Sequence, residues 1–167
     1  MRRRTALLVL VLAAALPLRA QKLATGVDMA WLAAGMADVG AELSIGRAAS
    51  LSVSLLACQH PWVHRDISGL AFQPEVRYYL SGRSMYHHFV GVGAIIGGYD
   101  MGLDIGHYQG SAAGVGLTFG YVLPLGDRWN VDLHSGFGIV HTQDRHHGHD
   151  NYTIPTKFGV TIAYIVR

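Results

Sequence analysis

Residues 109–141, QGSAAGVGLTFGYVLPLGDRWNVDLHSGFGIVH, constrain the fold more than any other stretch of the chain. They form two long period-two runs joined by a tight Pro/Gly/Asp connection. In the first run Val115, Leu117, Phe119 and Tyr121 alternate with Gly114, Gly116, Thr118 and Gly120; in the second, Val131, Leu133, Phe137 and Ile139 oppose Asn130, Asp132, His134, Gly136 and Gly138. Alternation over this length requires strands, because a helix returns apolar residues to one face every three or four positions. One face of the predicted hairpin is apolar, and the other is glycine-rich with a few charges. That division fits the lipid-facing and inward-facing sides of a small transmembrane barrel.

The start of the chain points to export. Residues 1–20, MRRRTALLVLVLAAALPLRA, combine a basic segment (Arg2, Arg3, Arg4), a short apolar core and a small residue, Ala20, at a plausible cleavage position. The core is shorter than the roughly 20 residues of a spanning helix, so a cleaved signal peptide over 1–20 and one domain over 21–167 are expected. The whole chain carries 13 basic and 11 acidic residues, and the signal holds four of the arginines and no acid. The remaining chain is therefore slightly acidic and has no basic run, which excludes nucleic acid as an expected partner. Its single cysteine, Cys58, cannot form an internal disulfide and reads as a small packing residue. No second apolar stretch is long enough for a membrane helix, so entry into a bilayer would require a closed sheet.

Taken in order, the chain offers eight strands: about 23–31, 39–45, 50–57, 71–80, 88–98, the two runs of the hairpin, and 154–166. A helix over 29–36 is set aside because Gly26, Gly35 and Gly40 leave too few residues between them. Pro74 is expected near a strand start or a bulge, since it lacks a backbone donor. The connections at 46–49, 81–84 and 124–128 are short, whereas 59–70, 99–108 and 142–151 are longer and polar; 32–38 is compact. This order is the one expected for periplasmic turns alternating with external loops. The sequence thus predicts an all-β, eight-stranded antiparallel up-and-down transmembrane β-barrel of the outer-membrane type, with both termini periplasmic.

Alternation alone also suits a soluble sandwich. What separates the two is the face opposite the apolar one: it carries Gly, Ser and Ala with sparse Asp28, Glu42, Glu75, Arg77, Asp132, His134 and Lys157, instead of the Lys, Thr, Glu and Gln of a solvated strand. Small residues let barrel walls approach, and the charges can pair across a filled or narrow interior. Trp31, Tyr78, Tyr79, Tyr121, Trp129 and Tyr164 lie towards strand ends, where aromatic rings sit at lipid headgroups.

The phrases FQPEVRYYL at 72–80, HHFVGVGAIIGGY at 87–99, the hairpin extended over 108–144, and PTKFGVTIAYIV at 155–166 resemble a family of small outer-membrane barrel proteins of unknown function from Bacteroidota. The resemblance covers roughly the last two thirds of the chain that follows the signal. It implies an outer-membrane-type β-barrel and brings no substrate, cofactor or catalytic residue.

Among candidate sites, Glu75, Arg77, Asp132, His134 and Lys157, joined by Asp28 and Glu42, form the inward polar network, whose expected role is mutual charge satisfaction. His141, His146, His147 and His149 with Asp144 and Asp150 cluster around one predicted loop and have side chains suited to zinc or copper, although the spacing matches no defined metal motif. An ordinary polar loop without a cofactor is the simpler reading. Trp62, His64 and Arg65 could add to an external binding surface. An outer-membrane lipid-modifying enzyme, working by acyl transfer or deacylation, is the principal alternative. It needs a nucleophile, base and acid at the rim. His134 and Ser135 are adjacent, so a strand points them to opposite faces, and no G-x-S-x-G or H-E-x-x-H motif occurs. The expected function is therefore non-enzymatic: a structural or surface-binding envelope protein. Its expected partners are outer-membrane lipids, the barrel-assembly machinery during biogenesis, and an unidentified envelope or extracellular ligand.

Overall fold

A computed structural model describes residues 22–62, 66–103, 106–145 and 148–166. The proposed signal at 1–20 lies outside them. Eight strands follow one another: β1 (Leu23–Asp28), β2 (Met36–Ser44), β3 (Ala49–Gln59), β4 (Ile67–Tyr79), β5 (His87–Leu103), β6 (Gly106–Leu125), β7 (Trp129–Asp144) and β8 (Gly148–Val166). Each pairs antiparallel with the next, and β1 pairs with β8 over Leu23↔Val166 to Asp28↔Thr161, so the sheet closes into a ring. Each strand therefore has two neighbours, although β8 meets β1 only over its last six residues, Thr161–Val166.

Several boundaries differ from expectation for physical reasons. Residues 29–31 do not continue β1: Met29–Ala33 form a short helix, α1, because Asp28 caps its first turn, accepting from the backbone N–H of Ala30 and Trp31 at 2.9 and 3.2 Å. Glycine spacing had argued against a helix, yet α1 rests on β2 and β8, and tertiary support replaces length. The stretches 99–108 and 142–151, expected as polar loops, are mostly strand, with Leu103 opposite Gly106 and Asp144 opposite Gly148. Polar residues on both faces hid this continuation beyond the apolar rows. The asymmetry between the two ends therefore lies in strand length more than in loop length. Pro74 sits mid-strand, where the β4–β5 ladder passes from Phe72↔Ile96 to Glu75↔Gly93 without pairing it. A bulge at Gly136/Phe137 accommodates Thr156 of β8 as an extra residue.

Residues 80–86, expected as a short turn over 81–84, fold back into the ring. Ser84 and Met85 are buried; Ser84 shares a 2.7 Å hydrogen bond with Ser44, and the Asn130 amide donates to the Met85 carbonyl at 3.2 Å. Above them Tyr79, Phe89 and Val122 form the main buried apolar cluster, closing the end of the ring that carries both chain termini.

Burial is inverted relative to a water-soluble domain. Arg77 and Glu75 are each 3% exposed, whereas Leu117 is 66%, Val92 62% and Phe158 60% exposed. The alternation read from the hairpin is the boundary between these environments. Some inward glycines make room for the charges they face: a Cβ at Gly159 would collide with the Asp28 carboxylate, and one at Gly91 with that of Glu75.

Candidate functional site

The ring interior gathers the charged residues around Arg77. Its Nη1 donates to Glu42 at 3.0 Å and to Asp132 at 2.6 Å, and its Nε donates to Glu75 at 3.0 Å. The guanidinium also lies 4.4 Å from the centre of the Phe89 ring, so one face of the cation rests on π density while its edges hold carboxylates. β4 supplies Glu75, Arg77 and Tyr79 at alternate positions; β2 supplies Glu42 and β7 Asp132, the latter two reaching Arg77 from different walls.

Around this centre each acid has further partners. Lys157 donates to Glu75 at 2.6 Å, and the hydroxyls of Tyr79 and Ser50 both donate to Glu42 at 2.6 Å. His134 stands between two carboxylates, with Nε2 3.5 Å from Asp28 and Nδ1 3.5 Å from Asp132. Asp28 in turn accepts from the Val160 N–H at 3.4 Å and the Thr161 hydroxyl at 3.3 Å, besides capping α1. A chain of polar contacts therefore runs from α1 through Asp28, His134 and Asp132 to Arg77. All seven residues expected to face inward line this one interior.

Sequence reasoning missed Asp38 and misplaced Tyr79. Asp38 is buried on the same inward row as Glu42, two steps along β2. It fell in a stretch read as a loop; continuing the alternation back from Glu42 through Gly40 would have reached it. Tyr79, expected among the interfacial aromatics, is fully buried, because its neighbour Tyr78 occupies the outward position.

Little free space remains inside. One cavity of about 50 Å³ lies beside Asp28, Glu42, Asp132 and His134, and another of about 20 Å³ beside Gln73, Glu75 and Thr156. Such volumes suit a few hydrogen-bonded waters. Among the described residues the geometry around Arg77 holds charge in place, and these two cavities are far smaller than a usual small-molecule site.

The remaining candidates are dispersed. His134 faces inward and Ser135 outward, so they do not form a dyad. His141 is exposed beside Asn151 (2.9 Å), and Asp144 is buried on the opposite face of β7. Asp150 accepts from the Tyr152 hydroxyl at 3.2 Å. His146, His147 and the His149 side chain lie outside the described residues, as do His64 and Arg65; among the described residues no three metal-ligating side chains converge. Trp62 is 80% exposed.

Fold and interior together define an all-β protein of eight antiparallel strands closed in a ring around a buried ion network. The chain belongs to the family described as protein of unknown function (DUF3575), whose profile matches residues 6–166. No curated protein and no solved structure matches it.

Proposed function

We propose that this chain is a non-enzymatic transmembrane β-barrel of the bacterial outer membrane, structural or surface-binding in role, with a filled interior and both termini on the periplasmic side. One observation carries the reading: the large apolar side chains are outside and the ions are inside. An exposed apolar surface continuous around a closed sheet is far larger than the few hundred Å² that a soluble monomer tolerates. A bilayer removes that surface from water, and the closed hydrogen-bonded ring suits a medium without competing donors.

Interfacial rings support the same orientation. At the end bearing the termini, Trp129 and Tyr164 meet edge-to-face at 5.0 Å, Arg128 donates to the Tyr164 hydroxyl at 3.0 Å, and His87 stacks between Tyr86 and Tyr121. Amphipathic rings and a cation at one level match a headgroup region. The packed turn at 80–86 and the ion network favour an anchored, non-conducting protein over a pore.

The test is membrane fractionation followed by detergent extraction, with migration on cold and heated SDS gels as the fold readout. The protein is expected in the detergent-extracted membrane fraction, with a mobility shift on heating. Leu117→Arg, at an outward position of β6, is expected to destabilise the bilayer-inserted protein by about 2–4 kcal/mol. Recovery of the wild type as a soluble monomer without detergent, or indifference to Leu117→Arg in bilayers, would overturn the reading.

A further inference from the structure

The outer face changes character over a few register steps. Leu70, Ile96 and Ile139 are among the last large exposed apolar residues on β4, β5 and β7. Strand pairing sets Leu70 in one row with Gly98, Ser111 and Gln143, and the next row is Ser68–Asp100–Gln109. All these positions share the outward parity of the apolar residues below them. Between them lies an open notch of about 580 Å³, with Gly98 and Gly110 in its lining. Its size falls within the range of about 300–1,000 Å³ usual for small-molecule sites.

One wall of the notch is already ordered. His107 Nε2 contacts one Asp100 oxygen at 2.8 Å, and the Gln109 amide N–H donates to the other at 2.8 Å. The Gln109 carbonyl oxygen accepts from Arg145 Nη1 at 3.0 Å, and the Arg145 backbone N–H donates to the Gln109 backbone carbonyl at 2.9 Å. His107, Asp100, Gln109 and Arg145 thus form a bonded strip across β5, β6 and the end of β7. Facing into the same space are groups with no hydrogen bond among the described residues: the Gln143 amide and the Ser68 and Ser111 hydroxyls.

The chemistry of this set selects a ligand class. A phosphate site would concentrate several cations, but the outward-facing charges here are one carboxylate, Asp100, and one guanidinium, Arg145. Planar amide, carboxylate and guanidinium groups beside small hydroxyls instead offer neighbouring donors and acceptors of the kind a polyhydroxylated headgroup engages. The position selects the source. The notch opens directly above apolar side chains on which acyl chains would lie, and a free sugar would gain nothing from that surface.

We infer that the notch binds the saccharide headgroup of a membrane glycolipid, with its acyl chains against Leu70, Ile96 and Ile139. The assignment rests on the membrane-barrel reading. It gives the surface-binding role a ligand class and leaves the His-rich tip of β7–β8 uninvolved.

Full-length mature protein would be folded into nanodiscs of phosphatidylcholine containing equal amounts of digalactosyl diacylglycerol and phosphatidylglycerol with identical acyl chains. Lipids retained on release into the gas phase would then be counted by native mass spectrometry. Retention of the galactolipid about tenfold above the phospholipid is expected, falling to parity in Ser111→Trp, which fills the notch, and at least threefold in Gln143→Ala. Both positions face outward, and heat-dependent gel mobility verifies that each variant is folded. Equal retention of the two lipids by the folded wild type, preference for the phospholipid, or unchanged preference in Ser111→Trp would overturn this inference and leave the membrane reading intact. Competition by free digalactosyl glycerol at the same concentration as the lipid would overturn the assignment to a membrane source. Failure of the protein to insert into any bilayer would overturn both.

Discussion

Replacing Arg77 with Met tests the interior network most directly. Met keeps an unbranched apolar stem that reaches the level of Arg Nε, so the substitution removes the charge and the end of the guanidinium while retaining the stem's packing. Three charge-assisted hydrogen bonds disappear together. Their loss is not simply additive, because the acids differ in what remains to them. Glu75 keeps Lys157, and Glu42 keeps Tyr79 and Ser50, but Asp132 loses its 2.6 Å donor and retains only His134 at 3.5 Å. Most of the cost should therefore fall on Asp132, at the roughly 3–5 kcal/mol typical when one member of a buried pair is removed. Asp132→Asn leaves Arg77 with two carboxylates and should cost about 1–3 kcal/mol. In the double variant the isolated charge is gone, so its cost should fall below the sum of the singles by about 2 kcal/mol. Urea unfolding from phospholipid vesicles, followed by tryptophan fluorescence and cold-gel mobility, measures all four corners of the cycle. Additivity within about 0.5 kcal/mol, or an Arg77→Met protein within about 1 kcal/mol of wild type, would refute the claim that Arg77 is the electrostatic centre of the fold.

Other positions separate steric from electrostatic contributions. Gly159→Val should cost about 3 kcal/mol by driving a side chain into the Asp28 carboxylate. Ser135→Val, facing outward one register pair away, should change the protein's stability by less than about 0.5 kcal/mol; similar effects of the two would contradict the assigned faces. Asp28→Ala should raise hydrogen exchange at the Ala30 and Trp31 amides by about 2- to 30-fold through loss of the helix cap. Asp28→Asn should retain their protection while still losing the charge beside His134, and equal exchange in the two variants would refute the capping role.

The rows of the ring were legible because two different surroundings act on alternate residues. Val115, Leu117 and Phe119 answer to one, Gly114, Gly116 and Gly120 to the other, and a period of two records the difference without knowledge of the partner strand. The inward charges were legible for the same reason, since Asp132 and His134 sit on a row where bulk is otherwise absent. The signal ends where both faces become polar. Residues 99–103 and 142–144 are strands stabilised by neighbouring ladders, and their side chains carry little trace of it. The helix at 29–33 depends on the position of Asp28 between β1 and β8, a relation spanning most of the chain. The inward fold of residues 80–86 depends on Ser44 and Asn130, which no local pattern identifies. Glycine spacing could announce a crowded wall, but only the structure pairs Gly159 with Asp28 and Gly91 with Glu75.

The ring is closed unequally. β5 and β6 pair from His87↔Val122 to Leu103↔Gly106, whereas β1 meets β8 only from Leu23↔Val166 to Asp28↔Thr161 and β2 only from Leu23↔Leu43 to Val27↔Val39. The first strand is thus a short stave of six residues between a nine-residue β2 and a nineteen-residue β8, and Asp28 fastens its far end to β8 through the Val160 N–H and the Thr161 hydroxyl. A cylinder built this way has a natural point of opening. β1 is therefore expected to be the first strand to exchange its amide hydrogens and the β5–β6 hairpin the last.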